Sequence, residues 1–339
     1  FYFLKGIRRT VQSAFTFDSA AEVELKIRFS AEKLLETKEV AGAEGADPGD
    51  IKYALENFQG ELQRVTDRTK DAADGLEEGK AIELSKKLMD FTVKCQKSLG
   101  KIEKALPPDL FEDIKLAKEK TSETFGGAFD LVKPEKVTEE LVGVLETQKG
   151  SEFKDFKNIE VLKEIEEKVP EQAKDAIRLA QEQALVRFQG ELEKLQFAKR
   201  AVFEDFVREI GGSEARQLEI ITDLEAQPVS AEVREVLAGA KEEALSKTDK
   251  RLQTFAPDQQ AKFLEHLAKG EIKNIRVLKE LEHNVSKGVL AGITQAKERA
   301  KGGIVEKVKL GEFKEEEKQE LLGELEQFHD AKSLAVLDE

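Results

Sequence analysis

Apolar residues recur at spacings of three and four along nearly the whole chain, the period of helices that bury one face. From Phe3 to Phe15 the pattern predicts a first helix, closed by a hydrophobic corner at Ala14-Phe15-Thr16-Phe17-Asp18. Ser19-Ala20-Ala21-Glu22 fits a capping box, with serine as the cap and glutamate three residues on. Val23, Leu25, Ile27, Phe29, Leu34 and Leu35 then carry a helix to Val40. After a glycine-containing loop, Asp47-Pro48 restarts the chain, with aspartate as cap and proline at the first helical position. Ile51, Leu55, Phe58, Leu62 and Val65 form the apolar stripe of that helix. Another helix is expected from Glu77 to Ala105, where Leu106-Pro107-Pro108 stops it, and Gly126-Gly127 breaks the next. No stretch alternates with period two between Asn-Gly or Asp-Gly turns, so strands are not expected. The pattern predicts an all-α protein of long antiparallel helices joined by short loops.

The second half of the chain repeats. Lys157-Asn158-Ile159-Glu160-Val161-Leu162-Lys163-Glu164-Ile165-Glu166 matches Lys273 to Glu282 at eight of ten positions, at an offset of 116. Val169, Ile177, Ala180 and Glu182 continue the match as Val285, Ile293, Ala296 and Glu298. A weaker copy lies midway, where Leu218 to Glu225 aligns with Ile159 to Glu166. One inserted residue later, Ala240, Glu242, Ala244 and Leu245 align with Ala180, Glu182, Ala184 and Leu185. The unit of about 57–59 residues holds a short, a long and a medium helix, the medium ones near Ala201–Ile210, Gln259–Ala268 and Glu316–Phe328. Gly211-Gly212 and Lys269-Gly270 end the first two, as helix C-termini prefer. Such units bury their apolar faces by stacking on their neighbours. The expected organisation is an N-terminal helical bundle over residues 1–130 and a helical-repeat region over 131–339.

Composition narrows the function classes. Charged residues make up 37% of the chain and hydrophobic ones 40%, with 7 prolines and no tryptophan, which suits amphipathic helices and is too apolar for disorder. The net charge of -14 disfavours a phosphate backbone or an anionic membrane surface as partner. No apolar run reaches the ~20 residues of a membrane span, so no membrane insertion by this chain is expected. Cys95 is the single cysteine, which excludes an intrachain disulfide; on a helix and with no histidine nearby in sequence, it is expected to be a packed thiol.

Chemistry-bearing motifs are missing. His266, His283 and His329 fall in separate helices, and none forms a His-x-x-x-His pair. No Gly-x-Ser-x-Gly elbow, Walker loop or Gly-x-Gly-x-x-Gly turn is present. Glu280 with His283 and Glu326 with His329 have the Glu-x-x-His spacing that di-metal bundles use, but glutamate is abundant enough for such pairs to arise by chance. The 20 phenylalanines, among them Phe188, Phe197, Phe203, Phe206, Phe255 and Phe263, read as core stripes. No catalytic, cofactor-binding or metal-ligating residue is assigned.

Tyr2-Phe3-Leu4-Lys5, Phe15-Thr16-Phe17-Asp18, Glu24-Leu25 and Lys33-Leu34-Leu35-Glu36 resemble the bacterial family catalogued as domain of unknown function 5667. That family typically has a Tyr-x-Leu-Lys start, an aromatic or apolar turn before Asp and an Arg-Leu-x-Glu element, in which Lys33 here replaces the arginine. The likeness covers the N-terminal helical hairpin. It implies an all-α fold and export behind a signal or anchor helix, which would precede Phe1, and it implies no activity. The expected function is a non-enzymatic, extracytoplasmic scaffold or protein-interaction module with a protein partner or self-association. The rival readings are a self-assembling surface-layer or filament subunit and a helical-bundle metal binder or sensor using carboxylates with His283 or His329.

Overall fold

The computed structural model describes residues 19–309, apart from 74, 149–152, 167, 168, 170, 195–199, 211–213, 226–228 and 269–271. The helix expected at Phe3–Phe15, the medium helix at Glu316–Phe328, Phe197, Glu326 and His329 lie outside the described residues. Every regular element among the described residues is helical, as the apolar period predicts.

Three long helices open the described chain: α1 (Ser19–Ala41), α2 (Pro48–Ala73) and α3 (Glu78–Glu103). Asp47 caps α2 as its sequence predicts, its Oδ1 accepting from the Gly49 amide at 2.7 Å. In the loop before it, Gly45 has φ 71°, a conformation glycine takes without Cβ strain. Ile51, Leu55, Phe58, Leu62 and Val65 are all buried, so the α2 stripe is its core face. Leu106 and the two prolines end α3, and a 3₁₀ turn at Pro108–Leu110 leads into α4 (Phe111–Gly127). Small polar side chains tie these helices internally. Thr66 and Thr124 share a hydrogen bond of 2.9 Å, and Gln96 donates to the Lys118 carbonyl and the Ser122 hydroxyl at 2.8 and 2.9 Å.

Beyond a medium helix, α5 (Pro134–Thr147), the helices follow a short–long–medium rhythm. They are α6 (Lys154–Glu166), α7 (Glu171–Glu193) and α8 (Arg200–Glu209), then α9 (Glu214–Glu225), α10 (Ala231–Thr254) and α11 (Pro257–Leu267), then α12 (Ile272–Asn284) and α13 (Lys287–Lys309). Each short helix packs on the long helix that follows it. The described residues divide into two compact units parted between Phe206 and Val207, so position 130/131 falls inside the first.

The first unit centres on a phenylalanine cluster. Phe153, Phe156, Phe188, Phe203 and Phe206 are buried, with ring centroids 4.8–6.4 Å apart in tilted, stacked and edge-on pairs. They gather α6, α7, α8 and the residue before α6 around one aromatic interior. Phe263 is buried in the second unit, while Phe255 is half-buried. Phe153→Ala removes a fully buried ring from the middle of the cluster, so a loss of ~3–5 kcal/mol in the first unit is expected. Urea unfolding followed by helical circular dichroism measures it, with exposed Gln189→Ala as a control expected to stay within ~0.5 kcal/mol.

Candidate functional site

The recurring hairpins bury the same positions. Ile159, Leu218 and Ile275 on the short helices are core residues, as are Leu162, Ile221 and Leu278 one turn further on. On the long helices Ala180, Ala240 and Ala296 are buried at matched positions, small enough for the short helix to lie close.

One charged position accompanies this core. Glu166, Glu225 and Glu282 stand at the ends of α6, α9 and α12, and each is met by the long helix of its own hairpin. Gln181 donates to Glu166 at 3.1 Å, and Lys241 pairs with Glu225 at 2.9 Å. Lys297 pairs with Glu282. These three partners follow the matched alanines by one residue, so they occupy one register.

Geometry adds an earlier copy that the sequence reading missed. Glu103, at the end of α3, pairs with Lys118 on α4 at 2.8 Å, directly after buried Ala117. Residues 102–125 align with 165–188 at an offset of 63 without a gap: Ile102, Glu103, Pro107, Ile114, Leu116, Ala117, Glu119 and Phe125 recur as Ile165, Glu166, Pro170, Ile177, Leu179, Ala180, Glu182 and Phe188. Phe125 and Phe188 are both fully buried. The identities are spread from the end of one helix through the loop and along the next, with no run like Lys157-Asn158-Ile159, and this dispersal hid them.

Two of these lysines also reach forward. Lys118 lies 3.7 Å from Glu164 on α6, and Lys241 lies 2.9 Å from Glu280 on α12. Glu164 and Glu280 are themselves matched, 116 residues apart. A single ammonium thus joins the carboxylate closing its own hairpin to one on the next short helix. Burial pulls the pKa of Lys241 down, but the hydrogen bonds it donates to Glu280 and Glu225 outweigh it and hold the group above its ordinary value.

A second polar cluster, inside the first unit, has the opposite electrostatics. Lys97 on α3 donates to Gln148 Oε1 at 2.7 Å and Asn158 Oδ1 at 2.5 Å, two neutral amide oxygens. Asn158 is fully buried, and its Nδ2 has no hydrogen-bond partner. Asp155 sits beside it and accepts two bonds from the Arg187 guanidinium, at 3.1 and 3.0 Å. Burial first, and the like charge of Lys157 second, push Lys97 down to about 8, while Asp90 and Asp155 oppose the shift and Lys154 adds to it.

The two described histidines do not converge on a common site. His266 lies on α11, and His283 on α12 places its Nδ1 3.0 Å from the Lys279 carbonyl of its own helix. Glu280, the partner proposed for His283, is taken up by Lys241. Among the described residues no group of three or more His, Cys, Asp or Glu is placed to hold a metal ion. Cys95 is buried, and burial pushes its thiol well above the ordinary range, as expected of a packed cysteine. No described helix is long and apolar enough to cross a membrane.

The outward faces of the long helices carry exposed apolar side chains. Leu116 on α4 and Leu179 on α7 are 45% and 43% exposed at the matched position, and Leu185, Val186 and Leu290 are exposed as well. On α7 an open groove is lined by Leu179, Glu182, Gln183, Val186 and Arg187. No family model, curated protein or solved structure matches this chain.

The two charge environments differ in their pH signatures. Lys97 has a folded pKa of about 8, below its ordinary 10.5, so the folded state releases this proton first as pH rises. Between those values the unfolded chain binds more protons, and this group makes folding more favourable with rising pH. Lys97→Met is expected to flatten the wild-type gain in stability from pH 8 to 10.5, measured as urea midpoints across that window.

Proposed function

We propose that this chain is a non-enzymatic scaffold or protein-interaction module of a bacterial cell envelope, a helical bundle continued by an array of helical repeats. The observation that carries this reading is the pairing of matched interiors with exposed leucines in register. Leu116 and Leu179 occupy one position in successive hairpins, and both stay in water while Ala117 and Ala180 beside them are buried. Burial of the alanines is explained by packing within the hairpin. An outward leucine contributes nothing to that interior, and its recurrence suits a surface that meets other protein.

The net charge of -14 directs that surface toward protein rather than nucleic acid or anionic lipid. The likeness of the N-terminal residues to domain of unknown function 5667 supports an extracytoplasmic location, where such arrays act as spacers and docking platforms. The partner class is a protein surface with an apolar centre and a polar rim.

The test uses the full chain as bait in an envelope extract, beside a double variant carrying Leu179→Glu and Val186→Glu. Both side chains are exposed, so the variant is expected to keep its circular dichroism spectrum and to lose the captured partner. Light scattering across a concentration series checks for self-association. A wild-type chain that captures nothing and stays monomeric at high concentration would overturn the proposal.

A further inference from the structure

Asn158 uses only one side of its amide. Its Oδ1 accepts from Lys97 Nζ at 2.5 Å. Its Nδ2, on the same fully buried group, has no hydrogen-bond partner among the described residues. A buried N–H without an acceptor is costly, so an acceptor belongs at this place. The amine that could carry one is already there. Lys97 is half-buried, and its other acceptor is the neutral Gln148 Oε1 at 2.7 Å. With its pKa pushed down to about 8, much of it is a neutral nucleophile in mildly alkaline water.

An oxygen joined to Nζ through one carbon meets Nδ2 if it lies on the same side as the remaining N–H. A carbamate satisfies this condition, because one of its two oxygens is always syn to its N–H. The N–H then donates to Oδ1 while the syn oxygen accepts from Nδ2, which closes a ring of two hydrogen bonds. A secondary acyl amide is trans and points its N–H and C=O apart, so it serves one side only. Charge agrees with this geometry. Lys157 and Lys154, which repel an ammonium here, attract an anion. The neighbouring carboxylates already hold cations, Asp90 through Lys94 at 2.5 Å and Asp155 through Arg187 at 3.0 Å. Turning the Gln148 amide, whose Nε2 reaches Asp90 only at 3.4 Å, offers the second oxygen a donor.

We propose that Lys97 is a reversible modification site for carbon dioxide, with Asn158 as the residue that receives the carbamate. The neutral amine attacks the carbon of CO2. The N–C bond forms, one C=O π pair moves onto oxygen, and the nitrogen gives one proton to water. The adduct joins α3 to α6 by two hydrogen bonds where the amine makes one, and it replaces a cation by an anion. It thereby ties the first unit to the supply of inorganic carbon. The proposal does not depend on partner capture, so it and the scaffold reading fail separately.

The full chain is equilibrated with 13C-labelled bicarbonate at pH 8 in sealed vessels, trapped with an alkylating oxonium reagent and digested for mass spectrometry. At that pH an amine of pKa about 8 is neutral on the order of a hundredfold more often than a lysine at the ordinary 10.5. The label is therefore expected at Lys97 in about that excess over exposed Lys94. Guanidinium unfolding midpoints, with and without bicarbonate at matched pH and ionic strength, tell whether the folded state receives the adduct. A carbamate held by Asn158 raises the midpoint, since it binds the folded chain better than the unfolded one. Lys97→Met is expected to lose both the label and the shift, and Lys97→Arg, which keeps the charge, does the same if the methionine variant fails to fold. Equal labelling of Lys97 and Lys94 would overturn the proposal. So would a labelled Lys97 with an unchanged or lowered midpoint.

Discussion

A single helical hairpin has too little interior to hold itself, and within a unit it depends on the face it offers its neighbour. The buried alanines at 117, 180, 240 and 296 let each pair of helices approach closely, and the apolar residues around them supply the driving force. That force is not directional. Any two apolar faces would stack, in more than one register. The lysine next to Ala117 and Ala240 supplies the direction that burial lacks, because an ammonium shared between two carboxylates is satisfied only when both helices stand at the right height. Lys118 and Lys241 therefore fix register more than they add stability, since the attraction of a half-buried pair is largely offset by its desolvation.

The chain contains two ways of bringing a lysine indoors, and comparing them shows what each is for. Lys241 enters with two carboxylates and keeps its charge more firmly than a lysine in water. Lys97 enters with two amide oxygens, and its hold on the proton is weakened to a pKa of about 8. The first arrangement recurs in the repeating hairpins. The second occurs where α3, the end of α5 and α6 meet, and it leaves the Asn158 amide nitrogen without a partner. A buried polar network of this kind is costly to assemble and tolerates few alternatives. It suits a junction that joins unlike elements, where repetition of a common interface cannot set the geometry.

Much of the fold could be read from local pattern. Asp47-Pro48 and Leu106-Pro107-Pro108 marked helix limits because capping and the missing proline amide act on neighbouring residues alone. The short–long–medium rhythm was legible from Lys157 onward, where ten residues recur almost unchanged. The copy at 102–125 was not, because what is kept there is spatial: Glu103 meets Lys118 across a turn of fifteen residues, and Phe125 fills the place of Phe188. The same limit applied to Glu280. Its spacing to His283 drew attention as metal-site chemistry, yet its partner is Lys241, 39 residues earlier on another helix. Spacing along one helix reports which residues share a face, and it cannot report which foreign side chain arrives there.

Duplication explains why one carboxylate position recurs with different partners. When a hairpin is copied, its interior arrives already compatible with its neighbour's, and core positions such as Leu162, Ile221 and Leu278 change only among residues of similar volume. The charged position is under weaker constraint, because its loss leaves no cavity. In the second copy Arg178 takes the carboxylate of its own hairpin and Gln181 adds its amide. Had the position simply decayed, Glu166 would be left half-covered with no cation. Instead the tie within the hairpin is preserved by a different residue one turn away. The same carboxylate is held by arginine in one copy and by lysine in another, so the charge is kept while the residue that supplies it changes.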